Sequence, residues 1–100
     1  MNRQVIVREE AKKDLAEGYA WYEKRQPGLG RELVFSVEAA IIEIGRRPLT
    51  FQIIYKNVRR AVIKRFPYTI LFIESNDVIS VIAIFHARRN PRIWQRRTHR

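Results

Sequence analysis

The spacing of apolar and polar residues along the chain changes character twice. QVIVR, residues 4–8, is short and β-branched and predicts a strand. From Glu9 the spacing turns helical. Ala11, Leu15, Tyr19 and Tyr22 fall at i, i+4, i+8 and i+11, one continuous stripe of a helix ending near Gln26. Glu9 and Glu10 in the first turn and Lys24 and Arg25 in the last suit the helix dipole. PGLG, residues 27–30, stops it with a tight reversal. Leu33, Val37, Ala40, Ile41 and Ile44 stripe a second helix, with Arg46 and Arg47 at its end and Gly45 and Pro48 closing it. A short connection between helices with matching apolar faces predicts an antiparallel helical hairpin.

From Phe51 the period becomes two. FQIIY, 51–55, is a short strand candidate and VRRAVIKRF, 58–66, a stronger one. PY turns the chain, TILFIES is the next strand, and Asn76-Asp77 is a two-residue hairpin turn into VISVIAIFHARR, which NP ends. The expected fold is one α+β domain over residues 1–100, of order β-α-α-β-β-β. It is an antiparallel sheet with the helical hairpin on one face, and residues 93–100 are expected to form a flexible basic tail.

Strict alternation along the last strand puts Val78, Ile82, Ile84, His86 and Arg88 on one face. Ile79, Val81, Ala83, Phe85, Ala87 and Arg89 take the other. Both faces are apolar up to Phe85, yet a helical hairpin covers only one. The second face is sealed either by the chain itself, through Trp94 with the tail or through FQIIY, or by a docked partner segment.

Charge alters this picture. Twenty Lys and Arg against ten Asp and Glu give +10, and eight of the ten acids lie between residues 9 and 43. The positive field therefore belongs to the C-terminal half, which suits an acidic or polyanionic partner. Arg59, Arg60, Lys64 and Arg65 lie on the first meander strand, and His86, Arg88 and Arg89 are expected to return beside Lys64 and Arg65. Arginine clamps phosphates or carboxylates bidentately, and histidine moves protons near neutral pH. The plain alternatives are partner electrostatics without chemistry and a strand-end histidine bonded to backbone or packed on Trp94. Two histidines, no cysteine and scattered acids give no metal-ligand spacing, and no glycine-rich phosphate loop joins a strand to a helix. No cofactor is expected. No stretch approaches a membrane span, and MNRQVIVREE lacks the apolar run of a signal peptide, so the expected location is the cytoplasm.

Three stretches in order, EAKKDLAEGYAWYEKRQPGLG, RRAVIKRFPYTILF and VIAIFHARRNPRIWQRR, resemble the RelE/ParE superfamily of toxins from bacterial type II toxin–antitoxin systems. The resemblance spans residues 4–97 and is closer to the ParE branch in PGLG and FHARR. It implies a compact toxin wrapped by a segment of a cognate antitoxin in a hetero-oligomer, with DNA gyrase as the target of a ParE-like, non-enzymatic inhibitor. A RelE-like ribosome-dependent mRNA endoribonuclease is the alternative, and a small basic nucleic-acid-binding module the second. Matching the RNA-cleaving pattern onto this chain gives Lys64, Arg65, His86 and Arg88 as catalytic candidates; the C-terminal tyrosine of that pattern is missing. Arg59, Arg60, Lys64, Arg65, His86, Arg88, Arg89 and Trp94 are the candidates for target or antitoxin binding.

Overall fold

The computed structural model describes residues 3–99. The chain runs β1 (Gln4–Val7), α1 (Glu9–Arg25), α2 (Leu29–Arg46), a 3-10 turn (Pro48–Thr50), β2 (Gln52–Tyr55), β3 (Val58–Val62), β4 (Tyr68–Ser75), β5 (Val78–His86), then α3 (Arg92–Gln95) leading into a 3-10 turn (Arg96–His99). The five strands form one sheet in the order β1-β5-β4-β3-β2.

The expected meander is β3-β4-β5, and FQIIY extends it as the edge strand β2. The sheet is mixed rather than purely antiparallel, because β1 pairs with β5 in parallel. Two helices and three strands separate β1 from β5, so the chain has ample length to return in the same direction. Lys56 (φ 51°) and Asn76 (φ 55°) supply the left-handed residues of the two-residue turns that join β2 to β3 and β4 to β5.

Two strands stop short of expectation. β3 ends at Val62, not Phe66: Pro67 brings no N–H to a ladder, and the Tyr68 N–H bonds the Phe66 carbonyl inside the corner instead. β5 ends at His86 because Tyr68, its partner there, is the first residue of β4. The Arg89 N–H then turns back onto the His86 carbonyl.

The α1–α2 reversal forms where PGLG predicts it, with Gly28 at φ 92°. The buried stripe of α1 is rotated from the expected one. Asp14 and Gly18 turn inward with Ala11, while Tyr19 is 40% exposed. The cause is close approach: a Cβ at residue 18 would lie 2.7 Å from the Tyr68 hydroxyl, so only glycine admits that ring against the helix.

Two apolar clusters sandwich the sheet. On the helix side Leu33, Val37, Ile44, Ile70, Phe72, Ile79, Val81 and Ile84 pack together. On the far side Val58, Leu71, Ile82, Ala83, Phe85 and Trp94 form the second. A β-bulge separates these sets on β5: Leu71 pairs with Ala83 but Phe72 with Val81, which leaves Ile82 as the extra residue. The bulge flips the register, so Ile79 and Val81 share the helix face with Ile84, contrary to strict alternation.

The second face is sealed by the chain itself. The segment expected as a flexible tail over 93–100 is helical through His99, and it buries Trp94 (6% exposed) and Arg97 (8%). Trp94 meets Tyr55 edge-to-face at 5.6 Å. Arg100 lies outside the described residues.

Candidate functional site

Register brings the cations to one end of the sheet but not to one site. Tyr68 pairs with His86 across β4–β5, and the Ile63 N–H bonds the Tyr68 carbonyl, so Lys64 and His86 leave the sheet at the same end. They open into different cavities, and the single cluster expected from sequence is split.

Lys64 and Arg65 rim a groove of about 430 Å³ between α2 and β3, walled by Ser36, Ala39, Phe51 and Val62. Arg65 bonds the Glu32 carboxylate at 2.6 Å, whereas Lys64 makes no ion pair among the described residues. Val62, in this wall, is 64% exposed, and Phe35 and Ile42 on α2 are 61% and 63% exposed. An apolar strip of this kind marks a docking surface more often than a bare one.

His86, Arg88 and Arg89 instead line a cleft of about 590 Å³ against α1, with Tyr68 beside them. The His86 Nδ1 accepts the Arg88 N–H at 3.0 Å, which leaves Nε2–H as the ring's donor. Tyr68 meets the His86 ring edge-on at 5.3 Å. Burial pushes the Tyr68 phenol above its ordinary pKa; the nearby Asp14 and Glu17 carboxylates push the same way, and Arg89 pulls it down. The phenol therefore holds its proton more firmly than a free tyrosine does. Sequence reasoning passed over it as part of a turn; its position opposite a strand-end histidine was the available signal.

The remaining candidates have structural ties. Arg59 donates to the carbonyls of Phe51 at 2.7 Å and Leu49 at 3.4 Å, fastening the 3-10 turn. Arg60 bonds the Gln52 side chain at 2.9 Å and lines a smaller cleft on the far face with His86, Arg89 and Trp94. Trp94 itself is core and leaves little surface for a partner.

Asp14 and Arg97 were missed altogether. Past Val81, β5 has no β1 partner, and the bulge leaves backbone groups of Ile82 and Ile84 to be satisfied. Asp14 Oδ2 accepts the Ile84 N–H at 3.1 Å and Arg97 Nη1 at 2.7 Å, and the same guanidinium donates to the Ile82 carbonyl at 2.9 Å. This buried pair bolts the C-terminal segment to α1 across the strand edge. Arg89, 3.8 Å from Asp14 and 4.2 Å over the Phe85 ring, adds a third charge.

Comparison with known proteins agrees with this architecture. Residues 5–91 match the family described as the ParE toxin of the type II toxin–antitoxin system, parDE. Toxin ParE2 of Mycobacterium tuberculosis is 25% identical over 92 residues, spanning 91% of this chain and 88% of its own. Among solved structures, the chromosomal ParDE toxin–antitoxin system from P. aeruginosa superposes with a TM-score of 0.76 at 16% identity, over 84% of this chain and 95% of that one. The toxin–antitoxin complex RelBE2 from Mycobacterium tuberculosis gives 0.62 at 20% identity, over 86% and 99%. With seven-eighths of its length inside the family profile and the same fold, the chain belongs to the ParE toxin family of type II toxin–antitoxin systems.

Proposed function

We propose that this toxin inhibits DNA gyrase without catalysing a reaction of its own, and that a cognate antitoxin restrains it in a hetero-oligomer in the cytoplasm. The observation that carries the reading is the separation of the cations. The RNA-cleaving alternative needs Lys64, Arg65, His86 and Arg88 around one scissile phosphate. Here the first two rim the α2–β3 groove and the last two line the cleft against α1. A proton-transfer group must sit within hydrogen-bond reach of the proton it moves, and a charge stabilises a transition state most when it contacts the developing charge directly.

The α2–β3 groove supports the antitoxin half of the proposal. It is apolar and rimmed by Lys64 and Arg65, so it suits a segment with apolar anchors and acidic flanks. That the solved relatives are toxin–antitoxin systems points the same way.

The test runs the purified chain in a gyrase supercoiling reaction and in a translation extract with mapped mRNA ends. Loss of supercoiling with gyrase-linked breaks, relieved by antitoxin, is the expected result. His86→Ala should retain that inhibition. Codon-phased mRNA cuts that vanish in His86→Ala would overturn the reading in favour of a nuclease.

A further inference from the structure

The cleft against α1 carries more than a cationic rim. Four rings line it in a chain: Trp21 to Tyr22 edge-on at 4.9 Å, Tyr22 to Tyr68 tilted at 6.2 Å and Tyr68 to His86 edge-on at 5.3 Å. Tyr68 is 9% exposed, yet its hydroxyl has no hydrogen-bond partner among the described residues. The hydroxyl reaches the open cleft, where it can donate to whatever anion occupies it.

The groups are also ordered. Asp14, Glu17 with Gly18, and Trp21 with Tyr22 occupy successive turns of α1, about 5 Å apart. Arg89 stands at the Asp14 level, 3.8 Å from its carboxylate. The Tyr68 hydroxyl lies against Gly18 at the next turn, where Glu17 is exposed. Trp21, 50% exposed, closes the far end; the Arg25 guanidinium covers one face of its ring at 3.3 Å.

We propose that this cleft binds a nucleoside monophosphate. Arg88, Arg89, the His86 Nε2–H and the Tyr68 hydroxyl hold the phosphate, since guanidinium forks and charge-assisted bonds favour that anion. Glu17 accepts the ribose hydroxyls, and the base stacks on Trp21 with Tyr22 edge-on beside it, an arrangement that tolerates any base. The volume of about 590 Å³ is that of a small-ligand site. Asp14 adds no net repulsion because Arg97 already pairs with it. The site is separate from the α2–β3 groove and does not rest on the toxin reading.

Tryptophan emission and calorimetry on the full chain test it, with AMP and GMP as ligands and adenosine and inorganic phosphate as controls. Both monophosphates should bind with Kd below about 1 mM and alter the Trp21 emission. Adenosine and phosphate should each bind at least about tenfold more weakly. Trp21→Phe should remove the optical change while heat is still released. Tyr68→Phe, which keeps the ring, should weaken binding about fivefold through the lost hydrogen bond. Arg88→Ala should weaken it further. The proposal is overturned by no heat at about 5 mM nucleotide, or by phosphate binding as tightly as AMP. Unchanged affinity in Tyr68→Phe overturns it too, as does binding of oligonucleotides alone with a steep salt dependence.

Discussion

At Asp14 a carboxylate points inward from a helix that otherwise buries apolar groups, and it is tolerated because three donors converge on it. Removing one member of a buried pair leaves an uncompensated charge, whereas replacing both with apolar groups does not. Arg97→Ala should therefore lower stability by about 3–5 kcal/mol in urea unfolding, and Asp14→Leu combined with Arg97→Met should recover a large part. A loss near zero for Arg97→Ala would mean the pair holds nothing. Glu23 works by the opposite route, at the surface. Its carboxylate is held below the usual range chiefly by the Gly28 N–H at 2.8 Å, with burial opposing and the Gly30 N–H at 3.0 Å assisting. A depressed folded pKa means the contribution is present above the ordinary carboxylate value and disappears as pH falls through the folded one. The melting temperature should thus drop on acidification below about pH 4.3, and Glu23→Gln should remove that part of the fall. Identical acid profiles for the two proteins would contradict this. Gly30 is rigidly specified in the same turn: a Cβ there would lie 2.5 Å from the Tyr19 carbonyl oxygen, so Gly30→Ala must move backbone.

For the elements, the helices and the meander are readable from sequence because each repeats a period several times. Leu33, Val37 and Ile44 define α2 by spacing, and all three are fully buried. The bulge at Ile82 is not readable. VISVIAIF is apolar at every position but Ser80, so inserting one residue changes which face each side chain takes without changing the pattern. The C-terminal segment is hidden for another reason: Ile93 and Trp94 are too few apolar residues among arginines to form a periodic signal. The cationic end of β5 is half legible. Composition identifies the cations, but their division between two cavities depends on the RFPY corner and on which side of the sheet each residue leaves it. Trp94 is where the hidden segment gains its stability. It packs on Tyr55 and closes the cluster containing Leu71 and Phe85. Trp94→Ala should cost about 3–5 kcal/mol and expose the far face. Denaturant midpoints and dye binding to exposed apolar surface measure both, and a loss under about 1 kcal/mol would show that the segment is not holding that face.

Over the whole molecule the two cavities share one end of the sheet but differ in what their cations are free to do. Arg65 already bonds Glu32, whose negative charge offsets part of the guanidinium's field toward an acidic partner segment. Lys64 makes no ion pair among the described residues, so its field is available to an approaching anion. The consequence is an inequality within the α2–β3 groove: Lys64→Glu should weaken antitoxin binding more than Arg65→Glu. Both losses should shrink as salt is raised, since surface charges are screened within about 8 Å at physiological ionic strength. Val62→Asp, at the apolar wall, should cost more than about tenfold and persist at high salt, because it removes a desolvated contact. Arg88→Glu reverses an exposed charge in the other cleft, and it should leave antitoxin affinity within about threefold. Surface plasmon resonance on the four variants at two ionic strengths reads all of this. Should Arg88→Glu release the antitoxin as readily as Lys64→Glu, the two cavities act as one surface, and the division of labour between them is wrong.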